Sequence, residues 1–172
     1  MGVPYETQSL VRRPQGYGVA ESDLPFEGKN TLARVKFLRE QHQEIAKLYK
    51  KGDEPEYRKR TIDAYRSLRD AWERAVEEVL LRNVVLRFRK GIQTQLLRGV
   101  IVEDEDYAQV HMGVSRCSNY THDKALMGGV AVPDLDGLLV DINALENWRL
   151  KVEERSQKVA KARKQPVVVA EQ

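Results

Sequence analysis

The sequence predicts an all-α protein: an antiparallel helical bundle of four main helices behind an irregular N-terminal segment. Three observations predict it. From Thr31 onward, apolar residues recur at helical spacing. The connections between these stretches are mostly short, which folds each helix back on the one before. Residues suited to capping stand where such helices would start and stop.

Residues 1–30 read as a linker with a weak strand candidate. "VPYETQSLVRR" alternates loosely, and "PQGYGVAESDLPFEGKN" holds two prolines and three glycines, which marks a loop. A strand without a hairpin partner, followed by a linker, suggests that the chain was once joined to something upstream.

The bundle is expected over 31–165. In "TLARVKFLREQHQEIAKLYKKG", Leu32, Val35, Leu38, Ile45 and Leu48 fall largely on one face, with Asn30 as cap and Gly52 as stop. The second helix starts at Pro55, a residue suited to a first turn. Its stripe is Tyr57, Ile62, Tyr65, Leu68, Trp72, Val76, Val79 and Leu80. "VVLRFRKGIQTQLLRGVIV" fits a short helix, a broken turn, or two small strands around Gly91. "EDEDYAQVHMGVSRCSNYTHD" reads as a helix with an acidic first turn, favourable with the macrodipole, that loses periodicity near Ser115. The last helix runs from Pro133–Asp134 to about Lys164, burying Leu138, Leu139, Ile142, Leu145, Trp148 and Val152. Beyond Glu154 its surface turns basic. Residues 166–172 read as a frayed tail.

Composition narrows the function. The chain has 172 residues, enough for one domain with a real core. A net charge of +3 means that nucleic-acid binding would need a local patch. Cys117 is the only cysteine, so no internal disulfide forms. That suits the reducing cytoplasm, the expected location. No apolar run reaches about 18 residues, so no membrane span is expected. "EGKNT" at Glu27–Thr31 lacks the glycine spacing of a P-loop, and no GxSxG is present. His42, His111 and His122 are too scattered for an HExxH-type site, and "EDED" at Glu103–Asp106 reads as a solvated helix start. No cofactor and no metal are expected.

One stretch concentrates chemistry: "SRCSNYTHD", Ser115–Asp123. Arg116 and His122 stand six apart, the spacing of a class of metal-independent ribonucleases. Such cleavage needs a base of near-neutral pKa for the 2′-hydroxyl, and histidine supplies it. It also needs a fixed cation on the phosphate, which arginine provides. With 17 arginines in the chain, the spacing alone carries little weight. The bland alternative is a polar helix end with Arg116 in a surface ion pair. Ser118, Asn119, Tyr120 and Thr121 are candidates to bind phosphate or sugar. Arg69 and Glu73 stand one turn apart on the second helix, as an ion pair or as a second cation and an acid beside the same cleft.

"LRDAWERAVEEVLLRNVVLRFRKGIQTQ", "VEDEDY", "SRCSNYTHD" and "DLDGLLVDINALENWR", in that order, resemble the C-terminal region of large bacterial AAA/ABC-type ATPases. These ATPases carry a domain grouped with RloC/PrrC-type anticodon nucleases. The opening stretch resembles the segment just after their ATPase core. The resemblance implies a HEPN-like all-α ribonuclease module, a homodimer acting on RNA such as tRNA, in phage defence. It implies an upstream or partner ATPase domain, with an Arg-x(4–6)-His motif at Arg116 and His122. Arg69 or Arg116, with Glu73 and His122, would supply an Arg–Glu–His trio. The residue after the motif arginine is often Asn, Asp or His in that family; here it is Cys117.

A different class of function stands beside this one: a non-catalytic helical module that dimerises, or binds nucleic acid through Lys158, Lys161 and Arg163. An antitoxin-like regulatory fragment shares the fold.

Overall fold

The computed structural model describes residues 9–13, 16–21, 24–86, 89–121, 131 and 134–163. Their body is an all-α bundle of four long helices: α1 (Thr31–Lys51), α2 (Glu54–Ala75), α3 (Asp104–Thr121) and α4 (Leu135–Ala162). The tail from 164 lies outside the described residues.

The N-terminal segment differs from expectation. The first strand, β1 (Ser9–Arg13), does have a hairpin partner, β2 (Gly16–Glu21), inside the stretch read as a loop. They pair antiparallel, with Leu10 opposite Ala20 and Val11 opposite Val19. Gly16 and Gly18 masked the alternation of Tyr17 and Val19.

Each helix begins and ends for a local reason. The Asn30 side chain accepts from the Ala33 N–H at 2.8 Å, and Gly52 closes α1 in the left-handed conformation at φ 73°. Asp53 caps α2 through the Glu56 N–H. Asp134 caps α4 through the Gly137 N–H at 2.7 Å. Ahead of α3, the Glu103 N–H donates to Asp106 at 2.8 Å, half of a capping box.

The helix directions follow from which side chains meet. Trp72 lies against Gly113, and the Tyr65 ring packs 4.6 Å from Tyr120, so α2 and α3 run antiparallel. Tyr65 bonds Asp141 and Trp72 packs on Trp148, so α2 and α4 run parallel. Arg39 on α1 reaches Asn143 and Glu146 while His42 reaches the Leu135 carbonyl, making α1 antiparallel to α4. The result is an up-down-up-down bundle. Its core holds Leu38, Ile45, Leu68, Trp72, Leu138, Leu145 and Trp148. The predicted stripes supply most of it; Leu32 lies exposed on α1, and Leu139, expected to be buried, is only partly so.

The described residues of the ambiguous stretch form turns and a short 3-10 helix, and the helix before it ends in an irregular turn. After Ala75 the helix widens into a π-helical turn over Val76–Leu80 and ends at Arg82 and Asn83, both in the left-handed region. That turn carries Glu78, which accepts from the Thr31 N–H at 2.8 Å and its hydroxyl at 2.9 Å. A carboxylate thus sits on the positive end of α1. Thr94–Gly99 forms a 3-10 helix. It docks on α4 through Ser156, which donates to the Gly99 carbonyl at 2.6 Å. Arg163 adds bonds to the carbonyls of Leu97, Arg98 and Val100.

The "EDED" turn is only partly solvated. Asp106 is buried, accepts from the Trp148 indole N–H at 3.0 Å, and pairs with Arg155.

A methyl on Gly113 would stand 2.4 Å from Trp72 Cε2. Gly113→Ala is therefore expected to destabilise the fold, because about 1–3 kcal/mol of overpacking outweighs the ~1 kcal/mol that alanine gains in a helix. Gly91, with nothing within 4 Å of its added Cβ, is the control. Its Ala variant should stay within about 0.5 kcal/mol of wild type in urea denaturation.

Candidate functional site

The helix does not break near Ser115, where its periodicity fades. Ser115–Thr121 makes up the last two turns of α3, helical to Thr121. The apparent loss of periodicity has a simple cause: the polar residues mostly fill the solvent face, while Cys117 continues the buried one. The Ser118 hydroxyl donates to the Val114 carbonyl at 2.8 Å, and Thr121 donates to the Ser118 carbonyl at 3.4 Å. These hydroxyls serve their own helix. Asn119 is exposed. Tyr120 is half-buried against Tyr65. His122 lies outside the described residues.

Arg116 is half-exposed and pairs through Nε with Asp141 Oδ2 at 2.8 Å. The same oxygen accepts from the Tyr65 hydroxyl at 2.7 Å. Helices α2, α3 and α4 thus meet on one carboxylate oxygen. Burial, reinforced by the bond to Asp141, pushes the Tyr65 pKa well up, so its hydroxyl stays a donor. Partial burial works against the Arg116 charge, but Asp141 and the two tyrosines outweigh it and raise its pKa. Among the described residues, no partner holds Nη1 or Nη2 of Arg116.

Arg69 sits at the same level. If Trp72 faces Gly113 and Tyr65 faces Tyr120, Arg69 falls level with Arg116 across the α2–α3 seam. Cys117 feels both cations. Their carboxylate partners differ. Arg116 turns to α4, whereas Arg69 pairs with Glu73 on its own helix at 3.5 Å. Glu73 also lines a cleft of about 500 Å³ with Arg34, Asp70, Arg74 and Glu77. Arg116 does not line it. In that cleft Arg34 is a buried cation bonded to the carbonyls of Lys29, Asp70 and Glu27, and burial lowers its pKa. Burial and the neighbouring Glu73 raise the pKa of Asp70.

The basic end of α4 is a separate place. Lys158 lies seventeen residues beyond Asp141 in the sequence, about 25 Å along the helix axis. It pairs with Glu154, Lys161 is exposed, and Arg163 is committed to backbone carbonyls. Arg155, read as part of the same basic surface, is held by Glu103 and Asp106.

Sequence reasoning missed Asp141. A signal existed: an aspartate beside the apolar stripe of Leu138, Ile142 and Leu145 needs a partner. It took Tyr65 only as a core residue.

No family model, no curated protein and no solved structure matches the chain. Among the described residues, no helix is long and apolar enough to cross a membrane. Among the same residues, no group of three His, Cys, Asp or Glu side chains is arranged to hold a metal ion.

Cys117 is a core residue, and burial pushes its thiol up to about 12. The thiol therefore stays protonated at pH 8 and out of reach. A thiol reagent at pH 8 should modify the native protein only at the rate of unfolding, and react at once in denaturant. Fast labelling of the native protein would contradict this packing.

Proposed function

We propose that the chain is a metal-independent endoribonuclease module of the HEPN kind, acting on RNA such as tRNA as the effector of a phage-defence ATPase system. The observation that supports it most is Arg116. Its guanidinium is anchored by one nitrogen, half-exposed, with its Nη edge without a partner among the described residues. An arginine held this way suits bidentate contact with a phosphate. His122 follows α3 by a single residue.

In this reading His122 takes the proton of the 2′-hydroxyl, and O2′ attacks the phosphorus. Arg116 balances the charge gathering on the phosphoryl oxygens. The bond to the 5′ oxygen breaks, leaving a 2′,3′-cyclic phosphate and a 5′-hydroxyl. In a homodimer, His122 of a second copy protonates the leaving oxygen. Arg69 and Glu73 flank the site rather than enter the proton transfer. Lys158 and Lys161 would meet phosphates far along the same RNA.

A second reading is favoured by a specific observation: Arg69, Arg116 and Lys158 each already have a carboxylate partner. In it the chain is a non-catalytic helical module that dimerises or binds nucleic acid for a partner ATPase.

RNA incubated with the protein in EDTA separates the two. The first reading expects cleavage with cyclic-phosphate ends, reduced roughly 100-fold or more in His122→Ala and Arg116→Ala. Intact RNA with wild-type protein favours the second.

A further inference from the structure

We infer that Asp141 and Tyr65 are positioning residues that hold the Arg116 guanidinium so that its Nη edge receives a nucleic-acid phosphodiester. This deepens the reading above and rests on its assignment of phosphate to Arg116.

The geometry carries it. Asp141 Oδ2 forms an ion pair with Arg116 Nε at 2.8 Å and accepts from the Tyr65 hydroxyl at 2.7 Å. Tyr65 is fully buried, and its ring is flanked by Tyr120 at 4.6 Å, so the donor fixing Asp141 is itself immobile. The Asp141 side chain is only 12% exposed, against 51% for Arg116. A buried anchor therefore holds an accessible cation. A guanidinium has a planar fork of five donors. Capture of Nε restricts rotation about the side chain and leaves the Nη1–Nη2 edge for two phosphate oxygens. The nearby carboxylate subtracts some attraction for an anion, and the gain is orientation, because less side-chain freedom is lost on binding. A contact of this type addresses the backbone and carries no base preference.

The test uses the full chain in EDTA with two single-stranded RNA probes. One is a 2′-O-methyl oligoribonucleotide, which lacks the attacking hydroxyl and reports binding alone by fluorescence anisotropy. The other is the unmodified oligoribonucleotide, which reports cleavage. Arg116→Ala is expected to weaken binding about tenfold and to reduce the salt slope by about 0.7. Asp141→Asn and Tyr65→Phe, both near in shape to the residues they replace, are expected to weaken binding several-fold when Arg116 is present. In the Arg116→Ala background they should change nothing. A merely structural role would lower thermal stability without this coupling. Equal losses with and without Arg116, or wild-type affinity in folded Asp141→Asn and Tyr65→Phe, would overturn the inference. If the modified probe shows the coupling while the unmodified probe stays intact, the nuclease reading fails and the positioning role stands. If wild type cleaves but no coupling appears, only the positioning role fails. Absence of binding by wild type sinks both.

Discussion

The bundle depends on the approach of Trp72 to Gly113. The indole occupies the space that any Cβ at position 113 would need, so α3 can dock on α2 in this way only where glycine stands. Trp72 packs on Trp148 from the other side, at 5.3 Å between rings, and draws in α4. With that register set, the rest of the seam follows. Two turns away Tyr65 meets Tyr120, and the Tyr65 hydroxyl finds Asp141. Arg116 then comes level with the same carboxylate. A slip of one helical turn between α2 and α3 would break all of these contacts together.

Charge secures what packing sets. Helix α3 is tied to α4 at both ends, with opposite polarity. Near its start, Asp106 on α3 accepts from Trp148 and Arg155 on α4. Near its end, Arg116 on α3 pairs with Asp141 on α4. Such pairs add little net stability, because desolvation offsets most of the attraction. Breaking one is costly, since a buried carboxylate would be left alone. Reversed polarity makes them a register device: shifting or flipping α3 would set each charge against the wrong element.

Much of the fold was legible because the caps and stripes are local. Asn30, Gly52 and Asp134 act where they stand, and Leu38, Trp72, Leu145 and Trp148 announce their burial by spacing. Three features were not legible, each for a physical reason. The second strand of the hairpin depends on pairing with Ser9–Arg13, not on its own glycine-rich composition. The π turn that re-aims Glu78 onto Thr31 has no periodic signature within five residues. The unbroken course of α3 through Ser115–Thr121 was obscured by an apparent loss of periodicity, because a solvent-facing helix end and a polar loop share a composition. In the candidate site, Arg116 was visible as a residue type, but Asp141 lies 25 positions away in sequence and only the fold joins them.

The ion pair at Arg116 was the bland alternative to a phosphate site, yet the two are not exclusive. Lysine is a point charge, so at Lys158 a bond to Glu154 uses the same ammonium that a phosphate would need. An arginine has several nitrogens in a fixed plane, and one can anchor while the others receive. Arg163 gives its Nη1 to three backbone carbonyls at the end of α4. Arg34 is fuller still, with Nε, Nη1 and Nη2 all bonded to carbonyls in a buried position. Arg116 differs from both. Among the described residues it is tied through Nε alone, to a carboxylate that Tyr65 holds in place, and its side chain is half-exposed. What separates a structural arginine from a receptive one is therefore not whether it is paired but which nitrogen the pairing uses.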